Sequence, residues 1–193
     1  MASYYYFGAT LPSLRFESPP PLSHEEFMVR ARRYLSRGDA ELLAEARLHV
    51  PDDGSFPVRS LRSALLRRYY RWERALRNDL ARMRATRMKK PVDAQLRPGD
   101  PEAEAARVAV AAFQAEDPLQ GEMIIERERW AFIEGLAVNR IFDTEALCAY
   151  SLLLQALERR GRFRVDAGEA GYGTVYRSVL EAADYRDESG ASL

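Results

Sequence analysis

The chain has 193 residues, 47% of them hydrophobic, and carries 29 Lys+Arg against 29 Asp+Glu for a formal net charge of +0. That length suffices for one sizeable domain or two small lobes with a buried core. Zero net charge excludes a global field that would steer the whole molecule to nucleic acid or anionic lipid, so electrostatic recognition has to be local.

No run approaches the ~20 apolar residues that span a bilayer, and Met1 to Phe7 has neither the basic nor the apolar region of a signal peptide. The lone Cys148 cannot form an internal disulfide and falls inside a helical pattern, which predicts a buried, inert thiol in a reducing cytoplasm. Tyr4-Tyr5-Tyr6-Phe7 is aromatic and β-prone, then Gly8 and Leu11-Pro12 interrupt it, and no partner strand is evident. An extended aromatic arm laid over helices is expected.

Glu17-Ser18-Pro19-Pro20-Pro21 reads as a stiff polyproline-like connector. Ser23 with Glu26 then forms a capping box for a helix running to about Ser36, with Phe27, Ala31 and Tyr34/Leu35 inward. Gly38-Asp39 breaks and recaps the chain for a short helix from Glu41 to Leu48, ended by Pro51 and Asp52-Asp53-Gly54.

The longest helical pattern runs from Val58 to Lys90, about 50 Å if unbroken. Leu61, Leu65, Tyr69, Trp72, Leu76, Leu80 and Met83 recur at three- and four-residue steps and form one apolar seam. Between Arg59 and Lys90 stand twelve Lys/Arg against only Glu73 and Asp79, so the remaining faces are strongly basic. Residues 91–100 form a polar linker. Asp100-Pro101 caps a helix whose seam, Ala103, Ala106, Val110 and Phe113, is narrow and suits close helix approach. Asp117-Pro118 with Gln120 caps the next, with Trp130, Ile133, Ala137 and Ile141 inward. Asp143 caps a helix over 144–160 with Leu147, Tyr150, Leu154 and Leu157 inward, ending in Arg159-Arg160-Gly161. Past Gly161 a last helix is expected around Thr174 to Ala183, then a disordered tail at 187–193. The pattern as a whole predicts an all-α, elongated bundle of long amphipathic helices. Residues 1–186 form one helical domain, or two helical lobes joined by the linker.

No residue set reaches a catalytic signature. Glu122 and Glu126 share a helical face and could pair for acid/base or metal work, but no Glu-x-x-His motif accompanies them. His24 and His49 are the only histidines, and neither has an identifiable nucleophile and acid beside it. Gly168-Glu-Ala-Gly171-Tyr-Gly173 lacks the order and context of a nucleotide loop. No catalytic, metal or cofactor residues are assigned, and neither ATP hydrolysis nor a stoichiometric transition metal is expected. The ten arginines from Arg59 to Arg87, interleaved with Tyr69, Tyr70 and Trp72, could bind phosphates and stack bases. The aromatics fall on the apolar seam, however, which ranks nucleic acid behind a protein partner or a merely solvated face.

Tyr4-Tyr5-Tyr6-Phe7-Gly8-Ala9-Thr10-Leu11-Pro12, the proline-rich linker and Ser23-His24-Glu25-Glu26-Phe27 resemble the N-terminal signature of an uncharacterised bacterial family typically encoded among V/A-type ATPase genes. The resemblance continues through Trp72-Glu73, Leu76-Arg77, Glu116-Asp117-Pro118-Leu119, Glu122, Arg129-Trp130, Phe142-Asp143, Leu147, Tyr150 and Glu158-Arg159. It implies a role in a membrane-bound rotary ATPase. More distantly the chain is similar to the all-helical socket component of that complex, which couples the central stalk to the membrane ring, although it is considerably shorter. The resemblance brings no catalytic residues, and so implies a structural or assembly subunit, cytoplasmic and peripheral to the membrane through the complex, without direct membrane insertion. The expected docking residues are Arg67, Arg68, Arg71 and Arg74 with Tyr4, Tyr5 and Tyr6, facing a soluble stalk subunit or the cytoplasmic side of the ring. The alternative is a nucleic-acid-binding helical module using the same basic helix.

Overall fold

A helix of 24 residues, α4 (Ala64–Arg87), is the longest element of the computed structural model, which describes residues 4–49, 61–92 and 96–162. Before it come α1 (Tyr5–Thr10), α2 (His24–Ala31) and α3 (Arg37–Ala44), and after it α5 (Ala103–Phe113), α6 (Pro118–Ala137) and α7 (Thr144–Gly161). The described residues contain no strand, and the fold is all-α. The chain divides into two compact units, Met1–Glu158 and Arg159–Leu193, and the described part of the second is Arg159–Arg162 at the end of α7. Val58 to Ser60, the expected helix near 174–183 and the tail at 187–193 lie outside the described residues.

Most helix starts follow the side-chain chemistry expected of them. Ser23 accepts from Glu26 N at 3.1 Å, Asp117 from Gln120 N at 2.8 Å with Pro118 in the first turn, and Asp143 from Ala146 N at 2.7 Å. Each satisfies a backbone donor that the helix cannot satisfy itself. α4 is capped twice at its start, by Ser63 accepting from Leu66 N at 3.0 Å and by Glu145 of α7 accepting from Ala64 N at 2.8 Å.

Several expectations need correction. The inward face of α5 is Ala105, Val108 and Ala109, while Ala103 and Val110 of the expected seam are exposed, and Ile141 lies beyond the end of α6 at the surface. The aromatic segment is not extended: residues 5–10 wind into α1, because Tyr4 N donates to Phe142 O at 2.8 Å and the Tyr4 hydroxyl to Asp39 at 2.5 Å, pinning the segment's start. α2 ends at Ala31, and α3 begins at Arg37, because Ser36 accepts from Asp39 N at 3.3 Å; Gly38-Asp39 is therefore the first turn of a helix instead of a break. Asp100 does not cap α5. Its N-cap is Glu102, without a side-chain cap bond, and the Glu102 carboxylate is drawn instead to Arg68 at 2.5 Å.

The α4 seam is buried but does not serve one interface. Leu65, Leu66, Tyr69 and Tyr70 join a core cluster with Phe7, Phe27, Leu43, Trp130, Ile133 and the α7 stripe around Leu147, Leu154 and Leu157. Trp72, Ala75, Leu76 and Leu80 join a second cluster with Ala105, Val108 and Ala109 of α5 and Ile125 of α6, with Met83 packed against it. α7 thus packs with the first half of the seam, while the second half meets α5 and Ile125 of α6. Phe132 of α6 packs against both clusters and stacks on Trp72, ring centroids 4.6 Å apart.

α5 and α6 cross at close range. A Cβ on Gly121 would stand 2.7 Å from the Ala112 carbonyl oxygen, so only glycine permits this approach. The link from α6 to α7 is tight as well, with Asn139 (φ 64) and Phe142 (φ 57) left-handed. An aromatic in that conformation stores about 1–3 kcal/mol of strain. It is offset by packing, since Phe142 meets Tyr5 edge to face at 4.6 Å and lies against Gly8, where a Cβ would stand 2.7 Å from the ring.

Trp130 is buried, with Phe16 edge-on at 5.7 Å. Trp130→Ala is expected to destabilise the protein by about 3–5 kcal/mol, and Gly121→Ala by about 1–3 kcal/mol through overpacking. Chemical denaturation checks both, and an unchanged midpoint for Trp130→Ala would contradict this core.

Candidate functional site

The two sides of α4 treat charge differently. Between its two apolar clusters sits a buried ionic network. Arg129 of α6, 3% exposed, donates through Nε to Glu73 Oε2 at 3.0 Å and through Nη2 to Glu73 Oε1 at 3.1 Å, while Nη1 donates to Glu126. Glu73 is 1% and Glu126 0% exposed. Arg77 adds an Nε bond to Glu73 Oε1 at 3.0 Å, and its Nη2 donates to His49 Nδ1 at 2.7 Å. Burial alone would raise the Glu73 carboxyl; the Arg129 charge, hydrogen bonds from His49 and Arg129, and the Arg77 charge together outweigh it and hold the group well below the usual carboxylate range. Burial likewise opposes the Arg129 charge, and Glu73, Tyr69 and Glu126 together restore it.

Other polar groups, half-buried or buried, are occupied in joining elements. Asp39 accepts from the hydroxyls of Tyr4, Ser36 (2.6 Å) and Thr144 (3.1 Å), which ties α1, α3 and α7 together. The Ser36 and Tyr4 bonds lower its pKa. His24 Nε2 lies 2.9 Å from Ser151 Oγ, a pairing the sequence did not disclose, and burial lowers the His24 pKa. Ser151 is fully buried and shares Gln155, which also donates to Ala46 O at 2.7 Å, so this pair braces α7 without presenting a nucleophile to solvent. Cys148 is buried as expected, its thiol pushed up to about 12 by burial.

The outer side of α4 carries the arginine stripe. Arg67, Arg71 and Arg74 stand at i, i+4 and i+7, one helical face. Arg67 Nη1 donates to the carbonyls of Leu61 and Arg62, the latter at 3.1 Å, and Arg74 Nη1 donates to Pro98 O at 3.0 Å. Arg71 is exposed and has neither a hydrogen bond nor an ion pair with any described residue. Among the described residues no carboxylate forms an ion pair with any of the three. The three line a cavity of about 380 Å³ whose other wall is Pro98, Gly99 and Asp100.

The structure divides the expected docking residues. Arg68 does not belong with Arg67, Arg71 and Arg74: it pairs with Glu102 at 2.5 Å and lies over the Phe132 ring at 5.1 Å, which uses its charge internally. Tyr4 is 7% exposed and bonded to Asp39, so it is not a surface residue. Tyr5 and Tyr6 remain at the surface, 54% and 81% exposed. Tyr69, Tyr70 and Trp72 are fully buried and present no ring to a base. Glu126 belongs to the ionic network, while Glu122 lines a separate cavity of about 480 Å³ with Arg84, Arg87 and Glu116. The described residues hold no cluster of three or more metal-ligating side chains, and no helix among them is long and apolar enough to cross a membrane.

Sequence reasoning missed Arg129 as the partner of Glu73. The available signals were the isolation of Glu73 among bases and the three-residue step from Glu126 to Arg129. No family model, curated protein or solved structure matches this chain.

Removing one partner of a buried ion pair strands the other, so Arg129→Met is expected to destabilise by about 3–5 kcal/mol. The triple change Glu73→Leu, Glu126→Leu, Arg129→Met is expected to destabilise less than Arg129→Met alone, because no buried charge is left over. Glu73 titrates in the fold below its reference value of 4.5. Its contribution is therefore fully present above that pH and is lost as the pH falls below it. Urea midpoints measured from pH 7 to pH 3 should fall less steeply below pH 4.5 in the triple variant than in the wild type.

Proposed function

We propose that the protein is a non-catalytic helical docking subunit that meets an acidic protein surface through the outer face of α4. The observation that carries this reading is the stripe Arg67, Arg71 and Arg74, held beside the 98–100 loop with no carboxylate partner among the described residues. A charge left uncompensated on the surface of a chain of net charge +0 is available to an external anion. Charge of this kind accelerates encounter and sets register more than it adds affinity. Exposed Tyr5 and Tyr6 offer aromatic contact area of the sort enriched at interfaces.

Following the sequence resemblance, the partner in this reading is a V/A-type rotary ATPase, with the protein as a structural or assembly component, socket-like at the central stalk and elongated in outline. Its membrane association would be peripheral and mediated by that complex. Nucleic acid is the weaker reading, because Tyr69, Tyr70 and Trp72 are taken up by the core and base stacking on this helix is lost.

Affinity purification from the native organism, at low salt after gentle detergent extraction, tests the reading. ATPase subunits should be recovered with the wild type and depleted with Arg67→Glu/Arg71→Glu/Arg74→Glu, while Arg68→Glu should act chiefly on stability. Recovery of nucleic acid with no ATPase subunit would overturn it.

A further inference from the structure

The arginine face is a concavity as well as a docking surface, and its shape narrows the chemistry it can hold. At 1.5 Å per residue, Arg67 and Arg74 are about 10 Å apart along α4, with Arg71 between them. The loop passes directly over the stem of Arg74, where a Cβ on Gly99 would stand 2.9 Å from Cδ. The two outer guanidinium groups are held by neutral carbonyls of Leu61, Arg62 and Pro98. A carbonyl orients a guanidinium but leaves its full charge and its other N–H donors unspent. Three such charges line one cavity of about 380 Å³, a small-molecule size. Asp100, on the opposite wall, forms no ion pair with any described residue, and its single charge offsets only part of the arginine charge, so the lining stays net positive.

Planar guanidinium forks match phosphoryl oxygens bidentately. Several in a row, spread along a helix face, fit a ligand with several anionic groups in a row. We propose that the Arg67/Arg71/Arg74 cavity is a binding site for a small ligand carrying two or more linked phosphoryl groups. The proposal goes beyond the reading of this face as a protein-docking surface, since it gives the concavity within that face a small anion of its own. The Arg71 guanidinium closes on the ligand, and those of Arg67 and Arg74 are positioned beforehand.

Isothermal titration of the full chain with pyrophosphate and tripolyphosphate, against inorganic phosphate and citrate, tests it. Saturable one-to-one binding is expected for the two linked phosphates, with citrate and inorganic phosphate at least about tenfold weaker. Arg71→Gln, which breaks no hydrogen bond or ion pair among the described residues, should weaken binding about tenfold or more without changing the melting temperature. Gly99→Ala keeps every charge but displaces the Arg74 stem, and should weaken it as well. Arg33→Gln, an exposed charge beyond α2, should leave it unchanged. No saturable binding, equal binding of citrate, or an equal loss in Arg33→Gln would each overturn the proposal. If phosphates fail to bind while ATPase subunits are still recovered in an arginine-dependent way, the docking reading stands and only this inference falls.

Discussion

The bidentate pair between Arg129 and Glu73 sets the orientation of α4, and much else follows from that orientation. A buried guanidinium and carboxylate can satisfy each other only at one rotation and one depth, and leaving either alone is expensive. Locking Glu73 inward at its contact with α6 sends Leu65, Tyr69 and Trp72 to the core. At 3.6 residues per turn, Arg67, Arg71 and Arg74 then lie about 100–160° around the helix from Glu73. The inward lock and the outward stripe are two consequences of one helical geometry.

The pair also marks a change of neighbours. On one side of it the helix packs with α2, α3, α6 and α7 residues, and on the other with α5 and the first half of α6. A hydrophobic contact would glue either half at many registers. A two-point charged contact holds one, which is the specificity argument for keeping ions in a place where packed apolar side chains would be at least as stable. The Glu126 bond and the partly exposed Arg77 add further constraints to the same carboxylate and guanidinium.

Arg68 and Arg71 show how far the sequence could be read. They belong to the same basic run, and composition gives no reason to separate them. Three residues of offset turn one toward Glu102 and Phe132 and the other toward solvent. Local chemistry was legible where the cause was local: Ser23, Asp117 and Asp143 cap their helices, and the leucine stripes of α4 and α7 are buried. It failed where a distant residue decided. Glu102 starts α5 while its carboxylate goes to Arg68, and α1 winds around a Tyr4 anchor supplied by Asp39 and Phe142. Glu73 and Arg129 are 56 positions apart, and no periodicity links them.

Arginine-selective modification by phenylglyoxal, followed in time by peptide mass spectrometry on the folded protein, tests the division of α4 most directly. Arg71 should react first, Arg67 and Arg74 more slowly because carbonyls hold them, Arg68 later still, and Arg129 only as the protein unfolds. Modification of Arg129 in the folded protein at a rate near that of Arg71, or protection of Arg71 in the isolated chain, would contradict the account.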